Sequence, residues 1–187
     1  MKVNFFIVIT TMLISFQCYN APKTEASKLK STKLELIETE ILKEKILKSE
    51  ISELEIDRQE IVAFAKNFID VPYVYSSQDP EKGFDCSGFV NYVFKNFNIT
   101  VPRSSSGFKN FGKKINVEDV AIGDVLVFNG YQDSTSIGHL GIVCEANGFN
   151  SKFIHASSGK AMKVTISDLN SSHYSKRFYQ AVDVINQ

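Results

Sequence analysis

One cysteine at the edge of an apolar stretch, followed by two histidines in strand-like runs, is the part of this 187-residue chain with chemistry to offer. Cys86 lies in Gly83-Phe84-Asp85-Cys86-Ser87-Gly88-Phe89, and beyond it Phe89, Val90, Val93, Phe94 and Phe97 recur at helical spacing. This predicts a helix over 86–97 with Cys86 at its start, where unpaired backbone N–H groups and the helix dipole favour negative charge. An ordinary thiol has a pKa of about 8.5, and this setting is expected to make it a usable thiolate. His139 lies in Gly-His-Leu-Gly-Ile-Val and His155 in Phe-Ile-His-Ala. Together the three residues predict a thiol hydrolase.

Cleavage of an amide by a thiol needs a nucleophile, an acid/base, a group that holds the base, and donors for the oxyanion. Cys86 fits the first role. His139 fits the second, pairing with the thiolate as imidazolium and then protonating the leaving amine. His155 fits the third, by hydrogen bonding to the far nitrogen of His139. The Cys86 N–H and the Tyr75 hydroxyl are the expected oxyanion donors. In a strand His139, Gly141 and Val143 share one face, so Gly141 is expected to leave the ground beside the histidine open. His173, in a polar serine-rich run, reads as a surface residue.

The elements that must position these groups follow in order. Asp57-Arg58-Gln59-Glu60 reads as a capping box opening a helix over 58–69, ended by Val71-Pro72. After the helix at 86–97 comes a polar loop over 102–114. Strands are then expected at 125–128, 139–144, 152–156 and 179–184, with turn signals at Gly123-Asp124, Asn147-Gly148 and Ser158-Gly159. Helices first and an antiparallel meander afterwards predict an α+β domain over 58–187.

The N-terminal third differs. Lys2 precedes an apolar run over 5–16, too short to span a bilayer but suited to an export signal over 1–18. Residues 19–57 form a Lys/Glu-rich stalk in which Leu34, Ile37, Ile41, Ile51 and Leu54 follow heptad positions, broken by Lys48. This predicts a spacer helix, with weak self-association through 29–56 as the alternative. Lys+Arg and Asp+Glu balance at 21 each, which argues against a nucleic-acid partner. Three cysteines without a CxxC or zinc spacing predict no metal and no cofactor; Cys144 reads as a buried strand residue.

Two resemblances extend this reading. Leu13-Ile14-Ser15-Phe16-Gln17-Cys18 resembles a bacterial lipobox, which implies lipidation at Cys18 and a membrane-anchored protein of the cell envelope. Phe16 and Gln17 stand where small residues are usual. Over 58–185 the chain resembles the NlpC/P60 cell-wall cysteine peptidases, which are papain-like in fold. The resemblance rests on Pro72-Tyr73-Val74-Tyr75, Asp85-Cys86-Ser87-Gly88-Phe89, Val101-Pro102-Arg103-Ser104-Ser105, Ile122-Gly123-Asp124, His139-Leu140-Gly141, Phe153-Ile154-His155-Ala156 and Lys176-Arg177-Phe178.

The resemblance implies Cys86 as nucleophile, His139 as base, His155 as third member and Tyr75 near the oxyanion. Asp85 and Ser87 would hold the free amine of a stem peptide, with Ser104 or Ser105 lining the same pocket; Asp85 is equally a helix cap. The implied activity is hydrolysis of the γ-D-glutamyl–diaminopimelate (or lysine) bond of peptidoglycan stem peptides. Phe108 in place of the usual Gln, and Ser76-Ser77 in place of a glycine pair, depart from the pattern. The alternatives are an idle peptide-binding module of the same fold and another cysteine acyltransferase or amidase.

Overall fold

The computed structural model describes residues 33, 37–46, 57–131 and 133–186. The chain divides into two units, Met1–Leu54 and Glu55–Gln187. In the first, residues 37–46 are helical and exposed, Ile37, Ile41, Leu42 and Ile46 included. The export signal, Cys18, the remainder of the heptad positions and residues 47–56 lie outside the described residues. No helix among the described residues is long and apolar enough to cross a membrane.

In the second unit, helix α1 (Arg58–Lys66) is capped by Asp57, whose carboxylate accepts the Gln59 N–H at 2.7 Å. It ends three residues before the expected boundary. Asn67, Phe68 and Ile69 each donate to the carbonyl three residues back, so the chain tightens into turns before Asp70, at φ 73°. The apolar period continues through Phe68, which is why the sequence reads as longer helix. Ile61, Val62 and Ala65 face the core. Arg58 ties the helix start to the sheet through Asp124 (2.6 Å) and Asp183 (2.9 Å).

A two-stranded ribbon, β1 (Gln78–Asp79) and β2 (Gly83–Phe84), leads into α2 (Cys86–Asn96). Asp85 caps α2, accepting the Gly88 N–H at 2.6 Å, and Phe89, Val90, Val93 and Phe94 are buried. Each such side chain contributes about 1.5–3 kcal/mol on burial. Gly88 has a steric reason: a Cβ there would overlap the Ser77 carbonyl oxygen, which accepts the Asp85 N–H.

The sheet is antiparallel, with strand order β3-β8-β4-β5-β6-β7. Its strands are β3 (Lys113–Ile115), β4 (Val125–Asn129), β5 (Ile137–Glu145), β6 (Lys152–Ala156), β7 (Val164–Asp168) and β8 (Phe178–Asp183), with a single helical turn α3 (Ser172–Ser175) before β8. β4, β5 and β6 form the expected start of a meander, which β7, a strand not expected of the sequence, continues; β3 likewise begins where a loop was expected. β8, expected to follow β6, instead returns to pair with β4 on one side and β3 on the other. Strand alternation divides the apolar residues. Val125, Val127, Leu140, Ile142, Cys144 and Ile154 pack with the helices, whereas Leu126, Phe128, Val143, Phe153 and Ala181 form a second cluster. This is the α+β, papain-like arrangement expected of the sequence.

Candidate active site

Cys86 begins α2 and is 8% exposed. Its Sγ lies 3.9 Å from the carbonyl oxygen of Gly138. A β-bulge explains that neighbour. Phe128 pairs with His139 and Asn129 with Ile137, so Gly138 is left over between the two pairs. The bulge also has no room for a side chain, since a Cβ on Gly138 would come within 2.5 Å of the Gly130 Cα.

The charge state of the thiol differs from the expectation. Burial, and then the Asp85 carboxylate beside it, raise the Cys86 pKa to about 11, outweighing the helix N-terminus. The resting group is therefore a thiol at neutral pH. His139 is buried and held well below its ordinary pKa, by burial first and then by His155. Burial and then His173 lower His155 to about 3. Burial thus favours a neutral resting pair over the expected thiolate–imidazolium pair.

The two imidazoles are joined. His139 Nε2 lies 2.8 Å from His155 Nδ1, and the rings cross at 90°. His155 Nε2 then meets the Ser167 hydroxyl at 2.9 Å and the Tyr174 hydroxyl at 3.4 Å. Ser167 reaches it diagonally, because Phe153 pairs with Ser167 and His155 with Thr165. Tyr174 stacks on His139 with ring centroids 6.0 Å apart. Gly141 does not open this ground: the Phe153 ring occupies the place a Cβ would take, and His155 Cβ lies 3.2 Å from it.

Around Cys86 the expected pocket residues fall in different places. Asp85 is both cap and ion-pair partner: Arg103 grips it bidentately at 3.0 and 2.9 Å, and Ser87 donates to it at 3.1 Å. Tyr75 is 86% exposed. Tyr73 is the half-buried tyrosine, its phenol raised by burial and by the neighbouring Cys86 and Asp85. Ser105 donates to the Ile137 carbonyl at 3.4 Å, whereas Ser104 is exposed and hydrogen-bonded to Ser106 at 3.1 Å. Phe108 is fully buried in the core.

A cleft of about 440 Å³ opens on His139, lined also by Tyr131, Gly138, Ser157, Ser158, Gly159, His173, Tyr174 and Arg177. Ahead of β5, the Gly130 N–H donates to the Ser136 carbonyl at 2.8 Å. Tyr131, next to Gly130, stands in the cleft wall. Cys86 and Cys144 are both free thiols. Among the described residues no three His, Cys, Asp or Glu side chains converge as a metal-binding set.

Residue-by-residue reading missed Tyr73, Arg103, Ser167, Tyr174 and Arg177. Tyr73, Arg103 and Arg177 stand inside motifs that were noticed, but their neighbours carried the roles. Ser167 gives no signal in the sequence, and Tyr174 adjoins His173 in the serine-rich run that reads as surface.

Comparison with known proteins agrees with this architecture. The NlpC/P60 family model matches residues 70–183, and the chain belongs to that family of cysteine peptidases. It is 39% identical over 119 residues to the gamma-DL-glutamyl hydrolase of Bacillus subtilis (strain 168), covering 63% of this chain and 27% of that protein. Over 109 residues it is 33% identical to the murein DD-endopeptidase MepS/murein LD-carboxypeptidase of Escherichia coli (strain K12), covering 57% of this chain and 53% of that one. The crystal structure of an NlpC/P60 family protein from Bacillus cereus ATCC 10987 superposes with a TM-score of 0.62 at 26% identity, over 70% of this chain and 41% of that one. The chain thus spans between about a quarter and a half of the length of these relatives.

Proposed function

We propose that this protein is an exported peptidoglycan endopeptidase that cuts the γ-D-glutamyl–diaminopimelate (or lysine) bond of stem peptides through a Cys86 thioester. The observation that carries the reading is the 2.8 Å Nε2–Nδ1 bond that holds His139, on the strand whose bulge touches the Cys86 thiol. A base fixed by a second buried histidine beside a thiol at a helix start serves acyl transfer. The family's named endopeptidases and hydrolases support the substrate class.

The neutral resting pair sets the order of events. His139 Nδ1 takes the thiol proton as Sγ attacks the carbonyl carbon, so charge develops only with substrate bound. For Nδ1 to be free as acceptor, Nε2 carries its hydrogen and donates it to His155 Nδ1. His155 Nε2–H then donates to Ser167 Oγ. The tetrahedral oxyanion takes the Cys86 N–H, with the Tyr73 hydroxyl a better-sited second donor than Tyr75. Collapse breaks the C–N bond, and His139 returns the proton to the leaving amine. Water, deprotonated by His139, attacks the thioester, and the departing thiolate recovers a proton. Ser87 and the Asp85 Oδ2 atom, which takes a single Arg103 N–H, are the groups available to a stem-peptide ammonium, with Ser104 or Ser105 lining the same pocket.

Export over 1–18, lipidation at Cys18 and a spacer over 19–57 belong to the same reading, as the means of bringing the enzyme to the wall. A second reading, a peptide-binding module without turnover, draws on the thiol's bond to the Gly138 carbonyl rather than to His139. Mass spectrometry of defined stem peptides incubated with wild type and Cys86→Ala separates the two. Release of the L-alanyl-γ-D-glutamate dipeptide by wild type alone is expected. Cleavage at a D,D cross-link would move the bond, and peptide bound but uncut by both proteins would establish the binding module.

A further inference from the structure

The chain contains three arginines, and two of them are spent on aspartates. Arg58 bridges Asp124 and Asp183, and Arg103 grips Asp85. Arg177 has no acidic partner among the described residues, yet it is partly buried and lines the cleft that opens on His139. A cation withdrawn from water without a counter-charge is costly. That burial lowers its affinity for the proton.

The guanidinium is also fixed in place. Nε and Nη2 donate to the Asn129 carbonyl at 3.0 and 2.8 Å, and Nη1 donates to His173 Nε2 at 2.9 Å. Its carbon sits 5.9 Å from the centre of the Tyr131 ring, which is itself stacked on His173. A guanidinium has five N–H groups, so one remains on each Nη. Two adjacent donors on a held, planar cation match the geometry of a carboxylate.

We propose that Arg177 binds a free carboxylate flanking the scissile amide, making this an enzyme for peptides that are anionic at the bond they lose. The proposal rests on the hydrolase reading above and adds what that reading leaves open, the group the cleft recognises. In a γ-linked stem peptide the carboxylate has two sources: the α-carboxylate of the D-glutamyl residue, or a carboxylate of the leaving residue. Both present the same chemistry to Arg177, and amidation removes either one singly.

The test uses three tripeptides, L-Ala-γ-D-Glu-X: the parent, the form with the D-glutamyl α-carboxylate amidated, and the form with the X carboxylate amidated. Each is assayed for kcat/KM with the full chain and with Arg177→Gln. Wild type is expected to lose about 10- to 100-fold on one amide, which identifies the source of the carboxylate. Arg177→Gln should lose a similar factor on the parent and little more on that same amide. Equal wild-type rates on all three peptides would overturn the anchor while keeping the hydrolase, and so would an Arg177→Gln loss of the same size on all three. A parent peptide left uncut by wild type would instead remove the hydrolase reading. The wild-type arms need no variant, so a folding defect in Arg177→Gln cannot mask the answer.

Discussion

His139 and His155 meet nitrogen to nitrogen, Nε2 to Nδ1 at 2.8 Å, with their ring planes crossed at 90°. A single hydrogen lies between two such atoms, so fixing its position on one ring fixes the tautomer of both. The pair therefore acts as one unit, and its far end is set by Ser167 and Tyr174.

Substitution of either histidine should show that unity. His139→Ala is expected to lower kcat by about 10²–10⁴-fold, the usual worth of a positioned acid/base. His155→Ala should fall within the same range, because a buried imidazole leaves no ready substitute. The double variant should be little worse than His139→Ala alone. Steady-state kinetics on a stem peptide checks this, and multiplicative losses would show that the rings act separately.

Ser167→Ala removes the acceptor of the His155 Nε2–H and leaves only Tyr174 at 3.4 Å. A buried donor left short of a partner costs about 1–3 kcal/mol. The expected result is a lower kcat with KM nearly unchanged, restored in part by Ser167→Thr. A change confined to KM would place Ser167 in substrate binding instead.

Acid should unfold the protein through the same pair. Both histidines have folded pKa values below their ordinary range, and His155 lies near 3. An unfolded chain binds those protons at about pH 6.5. Below that point the unfolded state holds more protons, so stability falls as pH falls. The slope is about 1.4 kcal/mol per pH unit for each histidine still neutral in the fold. Urea denaturation between pH 7 and 4 measures it, and His155→Gln should flatten the curve.

Alkylation of Cys86 by iodoacetamide should be slow at pH 7 and rise about tenfold per pH unit towards pH 10, as expected for a thiol raised to about 11. Cys144 is also raised by burial, so modification is followed by peptide mapping of each cysteine. A Cys86 rate already on a plateau at pH 7 would mean a resting thiolate after all.

Much of this site was readable because its groups obey local rules. Cys86 follows from a cap and a helical apolar stripe, and the histidines from strands of ordinary composition. What escaped depends on pairing between distant strands. Ser167 joins His155 through the β6–β7 register, and the Gly138 bulge exists only against β4. The thiol's charge escaped for a different reason: burial at Cys86 outweighs the helix end, and burial is not a property of the segment 83–89. Gly141, read as open space, is a glycine because Phe153 packs against it.

The position of β8 has a consequence in time. This strand lies between β3 and β4 although its residues, Phe178–Asp183, are made after those of β3 to β7. Arg177 and Tyr174 immediately precede it. Until those residues are available, β3 has no neighbour and β4 lacks one of its two, so the acid/base pair and the cleft cannot settle around them. The interior of this sheet is therefore completed by a strand that is made after both of its neighbours.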